Sequence, residues 1–187
     1  MTREELEHVI RASGEITGQY EFVIVGSQSM LGSVPRPEEV FTASMEADIY
    51  PLREPDLADR IDGAIGEGSQ FHRTYGYCAQ GVGPGTAMLP RKWMERVRRI
   101  QGENTGHRLG YCLDLRDLFL SKAAAGREKD REFCIALFEH RYVDVAQLLD
   151  LVPTMPIDGE RQRRLRATIR RWAKAARMDR HQDKPRP

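Results

Sequence analysis

The sequence predicts an α+β fold, a mixed β-sheet core flanked by helices with a helical C-terminal part. Three observations carry this. Apolar or alternating runs of strand length, Phe22–Val25 and Thr42–Ile49, are separated by segments of helical period. Two further strand-like runs around residues 101–106 read as a hairpin. From Asp117 onward every segment has helical period. The division this implies is a core over residues 1–116, a helical part over 117–177 and a disordered polar tail over 178–187.

In chain order, Thr2 and Glu5 form a capping-box pattern ahead of Leu6, Val9 and Ile10, and the helix they open is expected to stop at Gly14. Phe22-Val23-Ile24-Val25 has the apolar character of a buried strand and is broken by Gly26-Ser27; Gln28–Leu31 then starts a helix before Pro35 and Pro37. From Thr42 to Ile49 the alternation puts Ala43, Met45, Ala47 and Ile49 on one face and Thr42, Ser44, Glu46 and Asp48 on the other. Pro51 ends that strand near Tyr50. Leu57, Ile61, Ala64 and Ile65 mark a helix closed by Gly66 and Gly68. Tyr75–Val82, Arg96–Ile100 and Arg108–Leu115 are the remaining strands. With Asp117 as N-cap, helices follow over Leu118–Ala125, Glu128–His140, Val143–Leu151 and Asp158–Arg177.

The bulk properties narrow the class. The chain of 187 residues is 40% hydrophobic and 30% charged, enough for a buried core. No run approaches the ~18 apolar residues of a membrane span, and the acidic start Arg3-Glu4-Glu5 is not that of a secretory leader. Cys78, Cys112 and Cys134 are too scattered for a disulfide framework or a zinc site, which places the expectation in a reducing cytoplasm. The net charge of +1 hides a polarity: residues 160–187 hold eleven Lys/Arg against three Asp/Glu, and the rest is acidic. Such an arm serves an anionic partner or pairs with the protein's own acidic body.

The chemistry concentrates at the Gly26-Ser27 turn and at Glu46 and Asp48. Alternate strand residues are ~6.6 Å apart and point the same way. Two carboxylates at that distance repel by ~2.5 kcal/mol at an effective dielectric of 20. A magnesium ion between them removes the repulsion and accepts phosphate oxygens as further ligands. Small residues at 26 and 27 let phosphates approach backbone N–H groups. A plain turn and a solvated strand face are the alternative readings of the same residues.

The string Val25-Gly26-Ser27, with Glu46-Ala47-Asp48 on a following strand, resembles the signature of the nucleotidyltransferase superfamily with the DNA polymerase beta-like fold. The stretch Asp117 to Asp130, with Lys122, Arg127, Lys129 and Asp130, is similar to the Lys…Arg-x-Lys-Asp motif of the AbiEii toxin-like branch, known from toxin–antitoxin and phage-abortive systems. The resemblance implies transfer of a nucleoside monophosphate from an NTP to an acceptor, RNA among the candidates, and adds a toxin or antitoxin protein as a partner. Under it Glu46 and Asp48 bind Mg²⁺; Gly26, Ser27, Arg127 and Lys129 bind the nucleotide; and Lys122 and Asp130 assist the transfer. The strand that brings a third carboxylate in the family pattern carries Gln80 here, and Asp114 offers an acid from a later strand. Without that acid the expectation becomes a degenerate module that binds nucleotide or a partner without turnover.

Overall fold

The computed structural model describes residues 1–182. The chain divides into two compact units: Met1–Ala87 with Met94–Asp114, and Met88–Trp93 with the chain from Leu115 onward.

The first unit is an α+β layer. Helix α1 (Arg3–Thr17) opens on the expected capping box: the Glu5 N–H donates to Thr2 Oγ1 and the Thr2 N–H to Glu5 Oε2. It runs through Gly14 and ends at Gly18 instead. Gly14 lies inside the helix because the Arg108 side chain crosses it; a Cβ there would stand 1.8 Å from Arg108 Nε. The glycine signals a close approach rather than a stop.

Strand β1 (Glu21–Val25) is followed by a 3-10 helix over Ser27–Gly32, where the sequence predicts an α-helix from Gln28. Helix α2 (Glu39–Thr42) and strand β2 (Glu46–Pro51) then share the segment whose alternation predicts one continuous strand. The expected strand loses its first four residues because Thr42 closes a helical turn and Gln28 Nε2 donates to the Ser44 carbonyl, engaging backbone that a strand would have paired. Helix α3 (Ala58–Ile65) matches its periodicity. Helix α4 (Gln70–Tyr75), capped by Ser69 Oγ accepting from the His72 N–H, has no counterpart in the sequence reading. Strands β3 (Cys78–Gly81), β4 (Arg98–Ile100) and β5 (Leu109–Cys112) are shorter than expected.

The five strands form one mixed sheet in the order β3-β2-β1-β5-β4. β1 is central, antiparallel to β2 and parallel to β5, while β3 runs parallel to β2 and β4 antiparallel to β5. Phe22, Ile24, Ala47, Ile49, Ala79 and Ile100 from the sheet pack with Leu6, Val9 and Ile10 of α1 and Ile61 and Ile65 of α3. Each is at most 4% exposed, so the α1–α3 layer covers that face of the sheet completely.

The second unit is helical: α5 (Leu115–Ala125), α6 (Glu128–Glu139), α7 (Val145–Leu151) and α8 (Gly159–Gln182). Asp117, expected as an N-cap, is fully buried within the first turn of α5, because β5 ends at Cys112 and the helix starts early. Phe119 meets the rings of Phe138 and Trp172 at 5.0 and 6.2 Å. Leu165, Ile169 and Trp172, the apolar stripe of α8, are buried. The tail expected from Met178 overlaps the last five residues of α8, and residues 183–187 lie outside the described residues.

Candidate functional site

One edge of the sheet gathers the candidates of the first unit. β1 and β5 run parallel and both leave the sheet there; β2 and β3 enter it there. Val23, Ile24 and Val25 are buried, so the strand is pinned and its exit at Gly26 is fixed in place. Gly26 has φ +65° and ψ −167°, a region essentially reserved for glycine. An added Cβ would lie 1.8 Å from Asp48 Oδ2. The carboxylate of Asp48 therefore rests against the bare backbone of the turn, across from its register partner Val25.

The turn is tied down on both sides. Ser29 Oγ donates to the Gly26 carbonyl at 2.8 Å, and the Gln28 amide reaches Ser44 at 2.8 Å, just before β2 begins. Gln28 is 1% exposed and its Oε1 has no hydrogen-bond partner. Ser27, half-buried, opens the six-residue 3-10 helix that stands where the sequence predicts an α-helix from Gln28.

Glu46 and Asp48 share the outer face of β2, as their alternation predicts, while Ala47 and Ile49 are buried. Asp48 lies opposite Gln80 in the parallel pairing with β3. With the amide oriented to satisfy its hydrogen bonds, Gln80 donates to Glu46 Oε1 and to Asp48 Oδ1, at 2.9 Å each. Both carboxylates thus converge on one point. The sequence marks Gln80 only as a missing acid; the structure makes it the group that joins the pair. Cys78, opposite Glu46, is buried, and burial with the nearby Glu46 charge pushes its thiol up to about 11, which leaves it protonated and non-nucleophilic at neutral pH.

Asp114 follows β5 at the same edge, 5% exposed, with Arg98 Nη2 at 3.3 Å from its Oδ2. β1 stands between β2 and β5, two strand spacings or roughly 10 Å across. Among the described residues no group of three His, Cys, Asp or Glu side chains is arranged to hold a metal.

Lys122, Arg127, Lys129 and Asp130 belong to the second unit. Three of them form one network around the buried Asp130, with Lys122 buried and Arg127 exposed. Lys122 Nζ lies 3.1 Å from Asp130 Oδ1, and Arg127 Nε 2.6 Å from Asp130 Oδ2. Lys122 also stands over the Phe133 ring at 4.6 Å. Burial opposes ionisation of Asp130, but the Arg127 hydrogen bond and the Lys122 charge outweigh it and hold the carboxyl below its ordinary value. An ionised, doubly paired carboxylate orients its partners and is a weak base. Lys129 is exposed on the first turn of α6.

On α8 the exposed side chains include Arg163, Arg170, Arg171 and Lys174, on the side away from the buried stripe. Arg161 and Arg164 pair along the helix with Asp158 and Glu160. No helix among the described residues is long and apolar enough to cross a membrane.

The profile of a family described as "Nucleotidyltransferase of unknown function (DUF6036)" matches residues 4–180, which takes in both units. No curated protein and no solved structure gives a significant match.

Proposed function

The chain belongs to this nucleotidyltransferase family, and on that premise we propose that it transfers a nucleoside monophosphate from an NTP to an acceptor with magnesium held at Glu46 and Asp48. The observation that carries the reading is the convergence of both carboxylates on one point beside the Gly26 backbone. Side chains that repel in isolation are aimed together, which is what a shared cation requires. Two carboxylates suit magnesium, which keeps water and phosphate oxygens as its remaining ligands. When bound, the metal supplies charge stabilisation to the attacking and leaving oxygens of an in-line displacement.

The protein's own residues position the reactants. Gly26 presents no side chain, so a phosphate can approach the turn as closely as Asp48 already does. Ser27 offers a hydroxyl to the triphosphate, and the family resemblance adds the charges of Arg127 and Lys129, which belong to the second unit. Lys122 is oriented by Asp130. In the transfer the acceptor oxygen bonds to the α-phosphorus, pyrophosphate leaves with the bonding pair, and the acceptor proton passes to water.

RNA as acceptor is supported by the exposed arginines of α8, and a toxin–antitoxin setting of the AbiEii kind by the Lys122-to-Asp130 motif. A second reading is favoured by Gln80. An amide donating to both carboxylates satisfies them without a cation, as in a module that binds nucleotide and does not turn it over. Incubating the full chain with each α-labelled NTP, Mg²⁺ and total RNA separates the two. Label transferred to RNA supports the transferase; NTP retained unreacted supports the module; the absence of both transfer and retention rejects both readings.

A further inference from the structure

We propose that Gln80 is the third ligand of the Glu46–Asp48 site and that its amide turns end for end on cation binding, presenting nitrogen to the carboxylates in the free protein and oxygen to the cation. The inference rests on the magnesium reading above. Glutamine is suited to both tasks: its amide nitrogen donates twice and its amide oxygen is a neutral ligand. The terminal torsion of glutamine is broad, so a half-turn exchanges the two ends without moving the backbone.

The spacing supports the exchange. Oxygen ligands on adjacent corners of a magnesium octahedron, each ~2.1 Å from the ion, stand ~2.9–3.0 Å apart. The Gln80 amide end that faces the pair is 2.9 Å from Glu46 Oε1 and 2.9 Å from Asp48 Oδ1. Its place is set by the sheet, because Gln80 is the register partner of Asp48 on β3. The other candidate groups stand apart: Cys78 is buried, and Asp114, after β5, is held by Arg98 on the far side of β1.

A neutral third ligand has a consequence for the order of events. The protein contributes two negative charges where a third acid would make three, so the bare site holds a cation weakly. The triphosphate supplies the missing charge, and cation retention becomes tied to nucleotide binding. In the free protein the same amide quenches the carboxylate repulsion, so the pair stays aimed at one point.

The test titrates the full chain with Mn²⁺ without nucleotide, following free Mn²⁺ by electron paramagnetic resonance. Gln80→Glu is expected to bind roughly tenfold tighter than the wild type, and Gln80→Ala several-fold weaker, because affinity follows ligand charge and number. In chelator, Gln80→Glu is expected to melt below the wild type, since three carboxylates then face one another. The Gln80 side-chain amide signal, identified by its loss in Gln80→Glu, is expected to shift on adding Mg²⁺. Mn²⁺ affinities within twofold across the three proteins overturn the ligand role and leave the magnesium reading standing. Folded wild type and Gln80→Glu that both fail to bind Mn²⁺ overturn the magnesium reading, and this inference with it.

Discussion

Gly26 and Asp48 are in such close contact that a methyl group on the first would occupy the space of the second: the added carbon would lie 1.8 Å from Asp48 Oδ2. Gly26→Ala therefore meets two penalties. Its φ of +65° with ψ −167° costs an L-residue on the order of 1–3 kcal/mol, and the carboxylate must also move. Urea denaturation reads the first penalty and Mn²⁺ affinity the second. Both are expected to fall. Gly63→Ala is the control: it sits inside α3 with nothing within 4 Å of an added Cβ, and it is expected to gain about 0.5–1 kcal/mol. Loss of stability at 26 with unchanged Mn²⁺ affinity would disconnect the turn from the metal site.

The carboxylate pair is predicted to be dispensable for folding and required for transfer. Glu46→Ala and Asp48→Ala each remove one carboxylate and one Gln80 hydrogen bond on a partly exposed face, so the stability change should stay within about 1 kcal/mol. Metal-held transition-state charge is worth several kcal/mol, so nucleotidyl transfer should drop by at least about a hundredfold. Single-turnover label transfer checks this. A folded variant with unchanged turnover removes that residue from the proposed site.

Asp130 behaves oppositely. It is fully buried between Lys122 and Arg127, and Asp130→Asn leaves a buried lysine without its counter-charge, at about 3–5 kcal/mol. Its folded value lies below the ordinary 3.8, so the native state binds fewer protons than the unfolded chain in that interval. The stability it contributes is full above the ordinary value and is lost as pH falls through the lowered one. Acid titration of the unfolding free energy should show this slope in the wild type and a weaker one in Asp130→Asn. Lys122→Ala will confound any nucleotide measurement for the same reason. Lys129→Ala is exposed and should leave stability unchanged while weakening NTP binding more than nucleoside binding, which equilibrium dialysis of both ligands distinguishes.

What was legible in the sequence follows the range of the interactions. The shared face of Glu46 and Asp48 is legible because strand alternation is local, and the cap of Thr2 with Glu5 because a capping box spans four residues. The alternation from Thr42 misled because pattern alone does not report backbone partners, and here Ser44 is engaged by Gln28 from sixteen residues away. The contact of Gln80 with both carboxylates is hidden in the sequence for a similar reason. Its meaning depends on the parallel β2–β3 register, and no sequence separation encodes which residue of β3 faces Asp48. Gly14 looked like a helix stop because Arg108, the side chain that requires it, lies far along the chain. The buried state of Lys122 and Asp130 was equally hidden, since a charged stretch at a helix boundary reads as solvated until its packing is known.

The basic arm now permits a sharper test than truncation. Leu165, Ile169 and Trp172 are buried, with Trp172 against Phe119, so removing α8 would strip the second unit of its core and unfold it. Arg163, Arg170 and Arg171 are exposed, and their spacing of seven and eight residues sets them on one face of the helix, opposite that stripe. Reversing all three to Glu should therefore leave the unit folded. If that face grips a single-stranded RNA acceptor, each neutralised phosphate contributes about −0.7 to the slope of log K against log salt. Three engaged arginines then give a wild-type slope of roughly −2, and the triple variant should flatten it while weakening binding at every salt concentration. NTP binding should be unchanged, because none of the three arginines is among the residues assigned to the nucleotide, Gly26, Ser27, Arg127 and Lys129. Fluorescence anisotropy with a labelled RNA between low and moderate salt measures both quantities. An unaltered slope and affinity in the folded triple variant would remove the arm from acceptor recognition and leave its charge to serve the pairing already seen between Arg164 and Glu160.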